Sequence, residues 1–129
     1  MNYQRRKKEQ GEEMKKVIVI EDNAILRKAL KRVFRGSEFD VSFYPNTEEA
    51  MFSLGDLFPD IFITDNDLGL GHKRGCDFAR TMSGKVPVIV MSAEDVRAEA
   101  KTAGAIAFLF KTDGLDGIPK MIREHLPEE

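Results

Sequence analysis

Pro59-Asp60-Ile61-Phe62-Ile63-Thr64-Asp65-Asn66-Asp67-Leu68-Gly69 is a short apolar run that ends on acid. Ile61 to Thr64 is too brief for a helix, and its β-branched and aromatic residues suit a strand buried on both faces. Asp65 then lies at the carboxyl end of that strand, where open α/β sheets form a crevice from the loops that leave the strand tips. Three other apolar runs end in a similar way. Val17-Ile18-Val19-Ile20 runs into Glu21-Asp22, Val86 to Met91 into Ser92, and Ile106 to Phe110 into Lys111. Three carboxylates, a hydroxyl and an ammonium at the tips of separate strands converge only in a parallel sheet.

Outward from this run, strands and helices alternate five times. Asn23 caps a helix whose apolar face is Leu26, Leu30, Val33 and Phe34 and which stops at Gly36. Phe39, Val41 and Phe43 alternate with polar residues and make a half-exposed second strand that ends before Pro45. Asn46 with Glu49 three residues on starts a second helix, with Ala50, Met51 and Leu54 inward and Gly55 at its end. Gly69, Gly71 and Gly75 predict a mobile loop, Cys76 to Met82 a short helix with Cys76 as a packing residue, and Ala93 to Ala103 a further helix closed by Gly104. Pro119 opens the last helix, with Ile118, Met121, Ile122 and Leu126 inward. This alternation demands right-handed crossovers and a parallel sheet covered on both sides.

At 129 residues with 42% hydrophobic content the chain suits one domain with a single substantial core, leaving no second domain to carry an output. The net charge of -2 conceals a basic amino terminus: Met1 to Lys16 carries six Lys/Arg against three Glu, so the body is acidic and argues against general nucleic-acid affinity. Residues 1–14, polar and without periodicity, are expected to form a loosely ordered charged arm that is either a solvated tail or a docking arm, with the domain proper at 15–129. Arg27, Lys28, Lys31, Arg32 and Arg35 line the outer face of the first helix, as a solvated surface or as a docking face for an acidic partner. The single cysteine cannot form an internal disulfide, and no apolar run approaches the ~20 residues that span a bilayer. A cytoplasmic protein outside the membrane is expected.

Glu21, Asp22 and Asp65 lie within a few ångströms of one another if strands one and three are neighbours. Like charges that close repel by several kcal/mol at an effective dielectric near ~20, so the cluster must protonate or hold a cation. A hard divalent ion suits oxygen ligands, and magnesium suits a site with few carboxylates and a phosphate to bridge. Lys111, flanked by apolar sequence, will reach for an anion: Asp65 or a phosphoryl group built on it. Ser92 can donate one hydrogen bond to such a group. The set reads as a phosphoryl-transfer site with Asp65 as nucleophile. His72 and His125 read as surface residues.

The residues VIVIEDN, PDIFITD, VPVIVMSA and GAIAFLFK together resemble the receiver domain of bacterial two-component response regulators, of the chemotaxis single-domain type, from about Lys15 to the carboxyl terminus. The resemblance implies a flavodoxin-like α/β fold, a doubly wound five-stranded parallel sheet of strand order 2-1-3-4-5 with helices on both faces. It implies that Asp65 accepts phosphate from a histidine kinase or histidine phosphotransfer protein and passes the signal to a downstream protein target. Glu21, Asp22, Asp65 and the backbone carbonyl of Asp67 would bind Mg2+, with Mn2+ as a substitute. Ser92 would be the switch hydroxyl and Phe108 the switch aromatic, and a homodimer stays open. Such a protein is not an enzyme beyond its own phosphorylation and dephosphorylation.

Three departures from the family pattern stand out. Thr112 replaces the usual proline after the lysine, Gly69 replaces a usual proline near the loop acid, and the Ser92–Lys111 interval is about one helical turn short. Asp67 adds a carboxylate at the mouth. Two other readings remain: a degenerate receiver serving as an interaction scaffold, and a phosphohydrolase of the haloacid dehalogenase type. The order of the metal acids, which here precede the nucleophile, argues against the second.

Overall fold

A computed structural model describes residues 14–126; the amino-terminal arm read from the sequence lies outside the described residues apart from Met14. The elements are β1 (Lys16–Ile20), α1 (Ala24–Phe34), β2 (Asp40–Tyr44), α2 (Thr47–Leu54), β3 (Ile61–Asp65), α3 (Gly75–Met82), β4 (Val88–Ser92), α4 (Arg97–Thr102), β5 (Ala107–Phe110) and α5 (Ile118–His125). All strand pairs are parallel and the order is β2-β1-β3-β4-β5, the doubly wound order expected.

The uninterrupted apolar runs explain why β1, β3 and β4 take the interior. Successive side chains of a strand point to opposite faces, so a strand covered by helices on both sides must be apolar at every position. Ile18, Ile20, Phe62, Val88 and Val90 pack on the side of α2, α3 and α4. Val17, Val19, Ile61, Ile63, Ile89 and Met91 pack on the other side, under α1 and α5. Phe62 meets Phe78 of α3 edge to face, with ring centroids 4.8 Å apart. Cys76 is buried in the first cluster as a packing residue.

The helix starts follow local chemistry. Asn23 Oδ1 accepts the backbone N–H groups of Ile25 and Leu26, and Asn46 Oδ1 accepts that of Glu49 while Glu49 Oε2 accepts from Asn46 Nδ2. Two boundaries differ from the sequence expectation. β4 begins at Val88, because the Val86 N–H is still bound to the Met82 carbonyl and Pro87 has no N–H to offer a ladder. The helix expected over Ala93 to Ala103 spans only Arg97–Thr102. The Glu94 carbonyl accepts from the Val96 N–H and Asp95 Oδ1 from the Arg97 N–H, so two local turns occupy backbone donors that a helix from Ala93 would have used.

Candidate functional site

Register brings the acids together. Ile20 pairs with Thr64 and Asp65 with Met91, so Glu21 and Asp65 leave neighbouring strands at one level and Ser92 follows one residue beyond the β3–β4 pairing. Glu21, Asp22 and Asp65 each offer a carboxylate oxygen, and these oxygens lie within 4.8 Å of one another. At that separation two full charges repel by about 3 kcal/mol at an effective dielectric near 20.

Lys111, at the end of β5, supplies the opposing charge. Its Nζ stands 2.7 Å from Glu21 Oε1 and 3.2 Å from Asp65 Oδ1. The sequence pointed Lys111 at Asp65, but the shorter bond is to Glu21, which is 0% exposed and has nowhere else to place its charge. Glu21 is held further by the Asn23 N–H on Oε2 and by Arg27 Nη1 on its carbonyl. Burial pushes the Glu21 carboxyl up to about 7, and the bond from Lys111 only partly offsets it. Burial also raises Asp65, against the pull of Lys111 and with the help of the Asp22 charge. For Lys111 burial pulls downward, but the hydrogen bond to Glu21 and the charges of Asp65 and Glu21 outweigh it and hold the ammonium above its ordinary value.

The turn after Lys111 is built without proline. Lys111–Asp113 form a 3-10 turn closed by the Gly114 N–H on the Lys111 carbonyl, and no cis peptide bond occurs among the described residues. Gly69 sits at φ 96°, a conformation that proline cannot adopt, and it faces Asp22 and His72. Asp67 does not join the carboxylate cluster. It is exposed, and its Oδ1 accepts the Gly69 N–H in its own loop. Ser92 is buried at the tip of β4; its oxygen accepts from Glu94 and leaves its own O–H free to donate. Phe108 is half-buried against α4, with the Arg97 guanidinium 5.5 Å from its ring centroid. His72 and His125 are exposed, the first bonded to Glu48 at 2.7 Å and the second to the Met121 carbonyl.

Two positioning residues were missed in the sequence. The buried Asn66 donates its N–H to the Met91 carbonyl, accepts from Gly75 N–H on its own carbonyl and from Cys76 N–H on Oδ1. These bonds tie the end of β3 to the start of α3. Gly75 makes that approach feasible: a Cβ there would stand 2.9 Å from the Asn66 Cα and press on the Asp65 carbonyl. The only signal for either was their place on the two sides of the glycine-rich loop.

An all-oxygen donor set at the mouth of a parallel sheet, with one ammonium and one hydroxyl around a carboxylate, fits a hard divalent cation and a phosphoryl group. No helix among the described residues is long and apolar enough to cross a membrane. The chain is similar to the virulence transcriptional regulatory protein PhoP of Salmonella typhimurium LT2, 33% identical over 104 residues that make up 76% of this chain and 46% of that protein. It is similar to the transcriptional regulatory protein PhoP of Escherichia coli K12, 31% identical over 102 residues, 74% of this chain and 45% of that one. The chain therefore spans about half the length of these relatives. Among solved structures, a response regulator from Thermotoga maritima superposes with a TM-score of 0.74 at 21% identity, covering 89% of this chain and 99% of that one. The signal receiver domain of a LuxO repressor protein from Vibrio parahaemolyticus gives 0.75 at 20% identity, covering 88% and 90%. Residues 17–123 match the model of the response regulator receiver domain, and the chain belongs to that family of two-component signalling modules.

Proposed function

We propose that Asp65 is the phosphoacceptor of this receiver, charged by the phosphohistidine of a kinase or phosphotransfer protein. The observation that carries it is the convergence of Glu21, Asp22 and Asp65 within 4.8 Å, with Lys111 bonded to two of them. An Asp65 carboxylate oxygen attacks phosphorus, the phosphorus–nitrogen bond of the donor breaks, and its imidazole leaves with the bonding pair and takes up a proton. Glu21, Asp22, Asp65 and the Asp67 carbonyl would hold Mg2+, or Mn2+ in its place, and the ion when bound supplies positive charge to the phosphoryl oxygens. Lys111 holds the remaining charge on the opposite side, and Ser92 donates its hydroxyl to one phosphoryl oxygen. Hydrolysis of the acyl phosphate resets the domain, a self-limited reaction rather than turnover.

Phosphorylation replaces the single negative charge of the Asp65 carboxylate by roughly -1.5 to -2. A switch from 1:99 to 99:1 needs about 5.5 kcal/mol of differential contact, which charge-assisted bonds to Lys111 and Ser92 together with metal ligation can reach. Movement of the Ser92 loop and of Phe108 would then re-form the surface around α4 and β5 for a protein target bound in trans, or the phosphoryl group would pass onward. The test is incubation with acetyl phosphate and magnesium followed by intact mass. One phosphoryl mass on the wild type and none on Asp65→Asn is expected; equal labelling of both overturns the assignment. A beryllofluoride-loaded protein whose surface amide signals stay unmoved would reduce the function to a constitutive scaffold.

A further inference from the structure

From Gly36 to Gly71 the chain has no Lys or Arg and eight acids: Glu38, Asp40, Glu48, Glu49, Asp56, Asp60, Asp65 and Asp67. The segment just before it is the reverse, because α1 and its cap carry Arg27, Lys28, Lys31, Arg32 and Arg35 with no acid. These opposite charges sit on opposite faces of one sheet, α1 over one core cluster and α2 over the other. Among the described residues, Lys28, Lys31, Arg32 and Arg35 make no ion pair with an acid, and Glu48, Glu49 and Asp56 make none with Lys or Arg.

Each helix also exposes a large apolar side chain in a shallow groove lined by charge of one sign. Ile25 is 78% exposed in a groove with Arg27, Lys28 and Lys31. Phe52 is 92% exposed in a groove with Glu48, Glu49 and Tyr44, and Leu57 and Phe58 are exposed in the loop beyond it. The order along the two helices is inverted. In α1 the apolar residue comes first and the bases follow at steps of three; in α2 the acids come first and Phe52 follows three and four residues later. At a rise of about 1.5 Å per residue, the nearest charge lies about 4.5 Å from the apolar residue along both helices, and the second at about 9 Å in α1 and about 6 Å in α2. Laid antiparallel, α1 and α2 would set Ile25 on Phe52 and Lys28 and Lys31 on Glu49 and Glu48, with opposed helix dipoles.

We infer that the α2 face is a docking site for the α1 face of a second copy of this chain, a head-to-tail contact between antiparallel helices. The two surfaces are different patches, so the contact is heterologous and leaves one free face at each end of a dimer. Its charges lie on exposed helix faces, which makes the association weak and sensitive to salt.

The test is sedimentation equilibrium of the full chain over a range of concentrations up to about 0.5 mM, in about 20 mM and about 500 mM salt. Average mass is expected to rise with concentration beyond the monomer at low salt, with a dissociation constant more than tenfold higher at high salt. Lys28→Glu/Lys31→Glu and Glu48→Lys/Glu49→Lys should each weaken self-association by more than tenfold, and an equimolar mixture of the two should restore it as a heterodimer. Circular dichroism checks the fold of each, because Glu49 also bonds Asn46. Phe52→Ser, which leaves charge and caps intact, should weaken association as well. A chain that stays monomeric at low salt, association that survives both reversals, or a mixture that remains unassociated overturns the proposal.

Discussion

Glu21→Gln isolates the electrostatic cost built into the carboxylate cluster. Glu21 is fully buried, and its carboxyl is pushed from an ordinary 4.5 up to about 7 because burial outweighs the bond from Lys111. The folded protein therefore binds a proton between pH 4.5 and 7 that the unfolded chain has released. The unfolding free energy falls as pH rises wherever the folded state holds more protons. The contribution is thus complete below 4.5 and lost as pH passes through 7, and Asp65, also raised by burial, adds in the same direction. At about 1.4 kcal/mol per unit of pH, the interval from 4.5 to about 7 amounts to about 3 kcal/mol. Urea unfolding of wild type and Glu21→Gln in chelator, at several pH values from 5 to 8, cancels the ionisations away from the site and leaves those of Glu21 and the Asp65 coupled to it. The wild type should lose about 2–3 kcal/mol relative to the variant across that range. Millimolar magnesium at pH 8 should recover stability in the wild type and much less in the variant, by about 2.7 kcal/mol at a hundredfold excess over the dissociation constant. A difference that is flat in pH, or that favours the wild type as pH rises, would refute the reasoning. The second outcome would mean that the Glu21–Lys111 ion pair more than compensates its own desolvation.

Three further outcomes follow from the same geometry. Gly75→Ala forces a methyl against the Asp65–Asn66 backbone and should cost about 1–3 kcal/mol in urea unfolding while slowing phosphorylation by acetyl phosphate; unchanged stability would mean that α3 slides away freely. Lys111→Met removes the cation shared by Glu21 and Asp65, so magnesium should bind at least as tightly by fluorescence or calorimetric titration while phosphorylation falls by more than about tenfold; weaker magnesium binding would contradict the charge argument. Asp67→Asn should change the rate at which the acyl phosphate is lost, followed by intact mass against time, since it removes an exposed charge beside the site; equal rates would remove Asp67 from the mechanism.

What was legible in the sequence was decided locally. The runs of β1, β3 and β4 are apolar between their polar ends because two layers of helices cover them, and a short run of that kind has few other places in a fold. The caps at Asn23 and Asn46 act over two or three residues, so they too could be read in advance. The α4 boundary could not. Residues 93–96 have the composition of a helix start, and only the folded turn beyond β4, with the Val96 and Arg97 N–H groups on the Glu94 carbonyl and Asp95 Oδ1, delays the helix to Arg97. The choice of Lys111 between Glu21 and Asp65 spans 90 residues of chain and turns on which carboxylate is better buried. The approach of Gly75 to Asn66 is invisible for the same reason: the sequence shows a glycine, and only packing shows what its missing Cβ leaves room for.

The charge count at the sheet rim ties cation binding to the proposed phosphorylation of Asp65. Fully ionised, Glu21, Asp22 and Asp65 against Lys111 leave a charge of minus two, which one divalent cation neutralises. Conversion of the Asp65 carboxylate to an acyl phosphate replaces one negative charge by roughly -1.5 to -2 and extends it by the length of a phosphoryl group. The added charge draws an ammonium, and Lys111, 3.2 Å from Asp65, is placed to shift toward it without changing the net charge of the site. Its move must weaken the 2.7 Å bond to Glu21, because one Nζ cannot stay at full strength on both. Glu21, fully buried and released from its ammonium, then depends wholly on the metal for its charge. The phosphorylated state should therefore hold its divalent cation more tightly than the unphosphorylated one, and by reciprocity the cation should favour phosphorylation by the same factor. Titration of the beryllofluoride-loaded and free proteins with manganese, read by water relaxation, measures that factor directly. A ratio of one would mean that Lys111 stays with Glu21 and that the acyl phosphate is neutralised by something else.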